Sequence, residues 1–416
     1  MKILHISHSD LIGGASRAAY RLHRAMLNAN IQSRMMVRVK QSHEHTILGP
    51  TTRLNKLNNS IRMIAGQSID KLQCAQNKNF HSGEWIPSFW SKIINSSDYD
   101  IINLHWVNNE TMSIEDIGRI EKPIVWTLHD MWPFCGREHV TGDHANARWK
   151  TGYNKKNRDA LDKGLDLDRW VWLRKKKSWK SPINIVAPSH WMSECVRDSV
   201  LFNSYPLTVI PNTLDTKIYK PLNKYFCREV LELPKYKKII LFGAIGGAKD
   251  SNKGYDLLFD ALNKLSIKIN NNDIMCLIFG QSKPIDAPPL PFETRWLGHI
   301  YDDATLSLIY NSSDIMIVPS RIENLPQTAT EAQSCGIPVV AFNTCGLKDA
   351  VKHSQTGYLA SPFDTDDMAS GIANILKNDN IHKVMGIKAR ERAQEKWSNE
   401  NIVSLYMSIY SNILKI

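Results

Sequence analysis

PSRIENLPQTATEAQSCGIPVVAF (319–342) sets two glutamates, Glu323 and Glu331, between two strand-like runs. DIMIVPS (314–320) leads in and IPVVAF (337–342) follows. The part between reads as a loop and then a helix. Pro326 suits the first turn, where no backbone N–H is needed, and Asn324 is a cap shortly before it. A helix start presents free N–H groups and a partial positive charge, which is a seat for phosphate. Glu323 falls in the loop beside that seat and Glu331 lies farther along the helix, with seven residues between them. Carboxylates accept hydrogen bonds from hydroxyls. Two of them flanking a phosphate seat suit a ligand with hydroxyls on both sides of a phosphate, such as a nucleotide-sugar. By spacing alone the pattern fits equally well a helix whose acids cap its end and face solvent.

The same strand-and-helix habit runs through the chain. KILHIS (2–7), DIINLHW (100–106), PIVWTLH (123–129), INIVAPS (183–189) and LTVIPN (207–212) read as buried strands of a first series. KKIILFGA (237–244), IMCLIFG (274–280) and RWLGHI (295–300) join the opening pair in a second. Apolar, β-branched runs bounded by turns and separated by helices predict parallel sheets covered on both faces. Two series in 416 residues predict two doubly wound α/β domains. The division falls in the proline-bearing IPNTLDTKIYKPLNK (210–224). This gives an N-terminal domain over 1–208, a C-terminal domain over 209–397 and a final helix over 398–416. In that helix Ile402, Leu405, Tyr406, Ile409 and Ile413 recur at helical spacing behind Ser398.

Composition narrows the class. At 43% hydrophobic and 22% charged residues the chain reads as a soluble globular protein, and no run of eighteen apolar residues predicts a membrane span. MKILHISHSD reads as a first buried strand and not as a signal peptide. Seven scattered cysteines without a CxxC pair argue against a disulfide framework or a zinc site, and for a reducing cytoplasm. The net charge of +11 favours anionic partners: nucleic acid, anionic lipid or phosphorylated small molecules. In open α/β sheets ligands bind beyond the carboxyl ends of the strands. That rule singles out Gly13 and Gly14, His105 and Trp106, His129 and Asp130, the stretch from Gly243 onward, and the opening segment.

The opening segment resembles the signature of retaining glycosyltransferases of family 4, which have the GT-B fold. Pro319, Ser320, Glu323, Glu331, Ala332, Gly336, Pro338, Val339, Val340 and Ala341 match that pattern in order. The resemblance implies two Rossmann-like domains facing a central cleft, with the C-terminal helix crossing back to the N-terminal domain. It puts Glu323 at the donor sugar and Glu331 on the ribose hydroxyls of the nucleotide. Many members have Phe-Gly where this chain has Leu325 and Pro326. A proline offers no N–H, so the phosphate contact falls to neighbours such as Gln327 or Thr328, in a donor-binding segment that also includes Asn324 and Leu325.

Other strand ends share the resemblance. LIGGASRAAYRL (11–22) is similar to the family's N-terminal glycine loop, where Gly13 and Gly14 let the backbone approach the donor. It is not GxGxxG, which argues against a dinucleotide oxidoreductase. WTLHDMWPFCG (126–136) resembles a branch that builds bacterial exopolysaccharide, colanic acid and O-antigen. There His129 would face the reacting sugar, with Asp130 beside it, and His105 would line the acceptor cleft. FGAIGGAKDSNKGYDLL (242–258) resembles the segment that clamps the diphosphate. Lys253-Gly254 matches, but the arginine expected six residues earlier falls on Gly247. Lys249 supplies part of that charge, as a point charge and not a planar fork.

The implied reaction moves a hexose from a nucleoside diphosphate to a hydroxyl with retention, and needs no metal or other cofactor. The implied acceptor is a saccharide linked to a polyprenyl diphosphate at the inner face of the cytoplasmic membrane. The segment 148–180 bears on this, with twelve Lys or Arg against four Asp, and with Trp170, Trp172 and Trp179 among the cations of RWVWLRKKKSWK. It reads equally as a membrane-surface element or as a solvated helix with its indoles turned inward. No nucleic-acid module is recognisable. Other GT-B enzymes, either inverting transferases or sugar-nucleotide epimerases, and a non-catalytic sugar-nucleotide binder stay open as readings.

Overall fold

The structure is a computed structural model and describes residues 1–243, 250–283 and 289–415. The chain divides into two compact units, one of residues 1–210 with 403–416 and one of residues 211–402.

The first unit contains β1 (Lys2–Ser9), β2 (Gln32–Val39), β3 (Ile47–Leu48), β4 (Gln73–Cys74), β5 (Ile101–Leu104), β6 (Ile124–Thr127), β7 (Lys163–Gly164), β8 (Ile183–Ala187) and β9 (Leu207–Val209). Seven of them form one sheet in the order β3-β2-β1-β5-β6-β8-β9, and each neighbouring pair is parallel. β4 and β7 make a separate antiparallel pair. The second unit has a six-stranded parallel sheet of β10 (Lys238–Gly243), β11 (Ile274–Phe279), β12 (Glu293–Trp296), β13 (Ile315–Val318), β14 (Val339–Phe342) and β15 (Gly357–Ala360). Its order is β12-β11-β10-β13-β14-β15. Every residue of β5, β6, β13 and β14 is buried, which is what near-continuous Ile, Val and Leu runs give when helices cover both faces. In each sheet the strand order reverses once, between β1 and β5 and between β10 and β13. These are the topological switch points, where doubly wound sheets open a crevice at their carboxyl edge.

From residue 403 on, the final helix, Asn399–Leu414, belongs to the first unit. Tyr406 and Thr127 pair through their hydroxyls at 2.8 Å, and Asn103 Nδ2 donates to Tyr410 Oη at 2.8 Å.

Some elements differ from the sequence reading. The strand expected over 295–300 is the edge strand Glu293–Trp296, which stops short of Gly298 at φ +69°. β2, QSRMMVRV, has no apolar run to announce it, yet alternation turns Ser33, Met35 and Val37 inward. In the basic segment, Trp172 and Trp179 are buried and only Trp170 is exposed. Lys175 is also buried. Its ammonium donates to the Trp132 carbonyl, to Cys135 at 3.1 Å and to Gly136 at 2.8 Å, and burial pulls its pKa down to about 7. Two of those three indoles and one of the lysines therefore serve the core, while most of the segment's cations stay at the surface.

Candidate active-site residues

In the second unit, the loop after β13 leads into the helix Gln327–Ser334. Pro326 is the cap of that helix, and its carbonyl accepts from the amides of Ala329 (3.1 Å) and Thr330 (3.3 Å). Asn324, expected as the cap, lies in the loop instead. Proline's fixed φ and missing N–H suit it to a position ahead of the first helical amide, and that moves the helix start to Gln327 and Thr328. The helix stops in a Schellman motif. Gly336 takes φ +77°, Ile337 N donates to Ala332 O at 2.9 Å and Gly336 N to Gln333 O at 2.9 Å.

Two contacts clamp the loop. On one side Arg321 N donates to Asn252 O at 2.7 Å, and its guanidinium donates to Asp256 Oδ1 at 2.8 Å. On the other, Gly346 N donates to Glu323 O at 2.9 Å, and a methyl on Gly346 would fall 1.4 Å from Asn324 O. Gly254, at φ +66°, lets the Lys253 turn close on the strand end, since a methyl there would fall 2.0 Å from Pro319 O. The clamp sets Lys253 Nζ on Glu323 Oε1 as an ion pair. Burial pulls the Lys253 pKa down, and the Glu323 carboxylate outweighs it, so the group stays firmly charged. Glu331 is buried, and Tyr310 Oη donates to its Oε2 at 2.7 Å. The structure thus brings together Lys253 and Glu323, with Asn324, Leu325, Gln327, Thr328 and Glu331 on the same loop and helix. Lys249 lies outside the described residues. The sequence reading missed Tyr310, Arg321 and Gly346. Tyr310 and Gly346 act from other segments and leave no local signal. Arg321 stands inside the opening motif but reads as a surface cation.

In the first unit the switch point holds a row of histidines. His5, from within β1, reaches His105 just after β5 (Nδ1 to Nε2, 3.0 Å), and His105 reaches His129 just after β6 (Nδ1 to Nε2, 3.1 Å). Burial holds His5 and His105 well below the ordinary imidazole range, and holds His129 at about 4 against the pull of Asp130. All three rings are therefore neutral near pH 7, and each carries one N–H. His5 Nε2 is buried without a partner. A row of donations running from His5 to His105 to His129 leaves a lone pair there, whereas the opposite direction would orphan an N–H. The first direction makes Nδ1–H of His129 the outward donor.

Asp130 is a support. Trp106 Nε1 donates to its Oδ2 at 2.8 Å, His139 Nδ1 lies 2.6 Å from the same oxygen, and Trp132 N donates to Oδ1 at 3.0 Å. Burial raises the Asp130 pKa, and these partners, His139 foremost, bring it below the ordinary value. Gly13 opens the helix Gly13–Asn28 at φ +83°, with nothing within 4 Å of an added Cβ, so its glycine is required by conformation and not by crowding. Gly14 follows in the first turn. Asp10 ties this loop to the end of β2 through the amides of Gln41 and Ser42, both at 2.9 Å. Among the described residues no group of three His, Cys, Asp or Glu is placed to hold a metal.

Two family models match the chain. "Glycosyltransferase Family 4" covers residues 12–218 and "Glycosyl transferases group 1" covers residues 225–392. With the two parallel-sheet units, these matches put the chain in the GT-B glycosyltransferase family. N-acetyl-alpha-D-glucosaminyl L-malate synthase of Bacillus anthracis is 35% identical over 25% of this chain and 27% of that enzyme. The capsular polysaccharide biosynthesis glycosyltransferase CapM of Staphylococcus aureus is 23% identical over 49% of this chain and 50% of CapM. The chain thus spans about a quarter to a half of these relatives. The crystal structure of Anabaena HepE in complex with UDP and glucose superposes with a TM-score of 0.64 over 99% of both chains, at 15% identity.

Proposed function

We propose that the protein is a retaining hexosyltransferase. It moves a hexose from a nucleoside-diphosphate sugar to a lipid-linked saccharide in the cytoplasm, in the building of a bacterial surface polysaccharide. The observation that carries the reading is the Lys253–Glu323 pair at the carboxyl end of β13, at the start of the helix that holds Glu331. A lysine kept charged beside a helix start suits a diphosphate, and the two carboxylates suit the hydroxyls on either side of it. The names of CapM and HepE support the class of donor and the kind of pathway.

In this reading Glu323 accepts from the donor hexose and Glu331 from the ribose. Lys253 turns from Glu323 to the phosphates, assisted by Lys249 and the first-turn amides of Gln327 and Thr328. His129 donates Nδ1–H to a sugar hydroxyl, with Asp130 and His105 steadying that side. The bond from C1 to the diphosphate oxygen breaks, and the bond from the acceptor oxygen to C1 forms on the same face. The acceptor's proton passes to the departing phosphate oxygen, whose growing charge the cation and amides stabilise. No metal is assigned a part.

The test is a thermal-shift screen against UDP-, GDP- and ADP-sugars, followed by transfer to saccharide acceptors with the product anomer read by NMR. A preferred donor should raise Tm by mass action and yield a product of unchanged anomeric configuration. An inverted product overturns retention, and binding without transfer to any acceptor overturns the enzyme reading.

A further inference from the structure

One buried cation of the first unit is seated against the turn that follows His129 and Asp130. Residues 131–136 close on themselves, with Met131 O accepting from the amides of Phe134 (3.2 Å) and Cys135 (3.1 Å). The carbonyls of Trp132, Cys135 and Gly136 converge on Lys175, which comes from the helix Leu167–Ser178. An ammonium has three N–H donors and no acceptor, and here each carbonyl answers one. Like the end of a helix, a turn that gathers carbonyls favours a cation. An apolar side chain at 175 would fill the same space, as Val171 and Trp172 do on the same helix, but would leave the three carbonyls without that donor.

Trp132 carries the effect toward the site. Lys175 Nζ lies 3.6 Å from the centre of its ring as well as on its carbonyl, and the ring is fixed by Nε1 donating to Ser82 O at 2.8 Å. The amide of the same residue donates to Asp130 Oδ1 at 3.0 Å. Trp132 is thus held on one side by the ammonium, and on the other it holds the carboxylate that directly follows His129. Its ring also stacks on that of His139, at 6.4 Å and 25°, and His139 Nδ1 lies 2.6 Å from Asp130 Oδ2. A shift of Trp132 therefore reaches Asp130 by two routes.

We propose that Lys175 is a positioning residue: its ammonium fixes the turn 131–136 and, through Trp132 and Asp130, the direction of the His129 ring. Its effect on turnover rests on the reading of His129 as the donor to a sugar hydroxyl; its hold on the turn does not. The seat is sensitive to protonation. Burial pulls Lys175 down to about 7 against the pull of Cys135, Glu138, Asp130 and Glu84 around it. A neutral amine keeps two N–H groups and turns a lone pair on the third carbonyl. The turn therefore loosens as pH rises past that value, while His129, held at about 4, stays neutral throughout.

Lys175→Met keeps the bulk and removes all three donors. In ¹⁵N NMR the variant should lose the single tautomer of His129 and shift the Trp132 indole and amide. Transfer should fall about tenfold in kcat, with the affinity for the preferred nucleotide-sugar unchanged. A lysine that merely filled the core would lower Tm in the variant and leave tautomer and kcat alone, and that result overturns the proposal. Should the variant not fold, the wild type decides. Followed by ¹⁵N NMR from about pH 6 to 9, the His129 and Trp132 signals should move with that of Lys175 Nζ. Signals that stay still while Lys175 loses its proton overturn the proposal. A protein in which His129 follows Lys175 but no sugar passes to any acceptor keeps this inference and overturns the proposed function; transfer by Lys175→Met at the wild-type rate does the reverse.

Discussion

The two switch points use opposite chemistry at the same place in the fold. In the second unit the site is built of charges that neutralise each other, Lys253 on Glu323, with Glu331 buried against Tyr310. In the first it is built of neutral rings, with His5, His105 and His129 in a row and one carboxylate, Asp130, held by three donors. A charge pair can exchange partners: when phosphate arrives, lysine and glutamate each have somewhere to go. A neutral row can only orient its last member. Variants that change charge should therefore tell most in the second unit, and variants that change orientation in the first.

Four measurements would sharpen or break that contrast. The largest effect is expected from Glu323→Gln, which keeps shape and removes charge. Turnover should fall by about 10² to 10³ with donor affinity less affected, and an unchanged kcat would end the charge-exchange account. Next comes acid. Burial holds His8, His23 and His129 at about 4 against 6.5 in the unfolded chain, and pulls His5 and His105 well below 6.5 as well. Between those values the unfolded chain takes up protons that the folded unit refuses. The stability is full above pH 6.5 and is lost as pH falls toward 4. Scanning calorimetry should show the first unit's transition dropping over that window ahead of the second's; a second unit that melts first would contradict it.

The third effect is smaller. Tyr310→Phe removes the hydroxyl on Glu331 and should weaken nucleotide binding about five- to tenfold, with kcat nearly kept. A matching loss of kcat would move Glu331 from holding the carrier to the reaction itself. The smallest is His105→Gln, which interrupts the histidine row. Turnover should fall a few-fold, and ¹⁵N NMR should show His129 losing its single tautomer. A His129 tautomer unchanged in the variant would break the row as an orienting device.

What could be read in advance follows the distance over which each feature is encoded. β13, β14 and the two glutamates lie within one stretch, so strand pattern, proline and acid spacing are local signals that the fold obeys. His105 and His129 follow buried runs, and the switch-point rule finds them. His5 does not, because a histidine inside a buried strand looks like core until its neighbour across the sheet is known. Tyr310 sits in the helix Asp303–Ser312 and looks like an apolar position there. Its hydroxyl gains a task only through tertiary contact. Gly346 reads as a turn, though its role is to admit the Asn324 carbonyl. The lysine-and-tryptophan run of 148–180 misleads for the opposite reason. Its composition is conspicuous, but a buried cation satisfied by three carbonyls looks the same in sequence as a free one.

The final helix has a consequence for how the molecule is made. Its tyrosines pair with Thr127 and Asn103, under strands that leave the ribosome before any residue of 211–402. The unit synthesised first is the unit finished last. Until residues 403–414 arrive, two polar side chains at the middle of its sheet have neither those phenols nor the apolar cover around them. A nascent chain halted after residue 210 should be a client for chaperones, and one halted after residue 402 should hold a finished second unit beside an open first one.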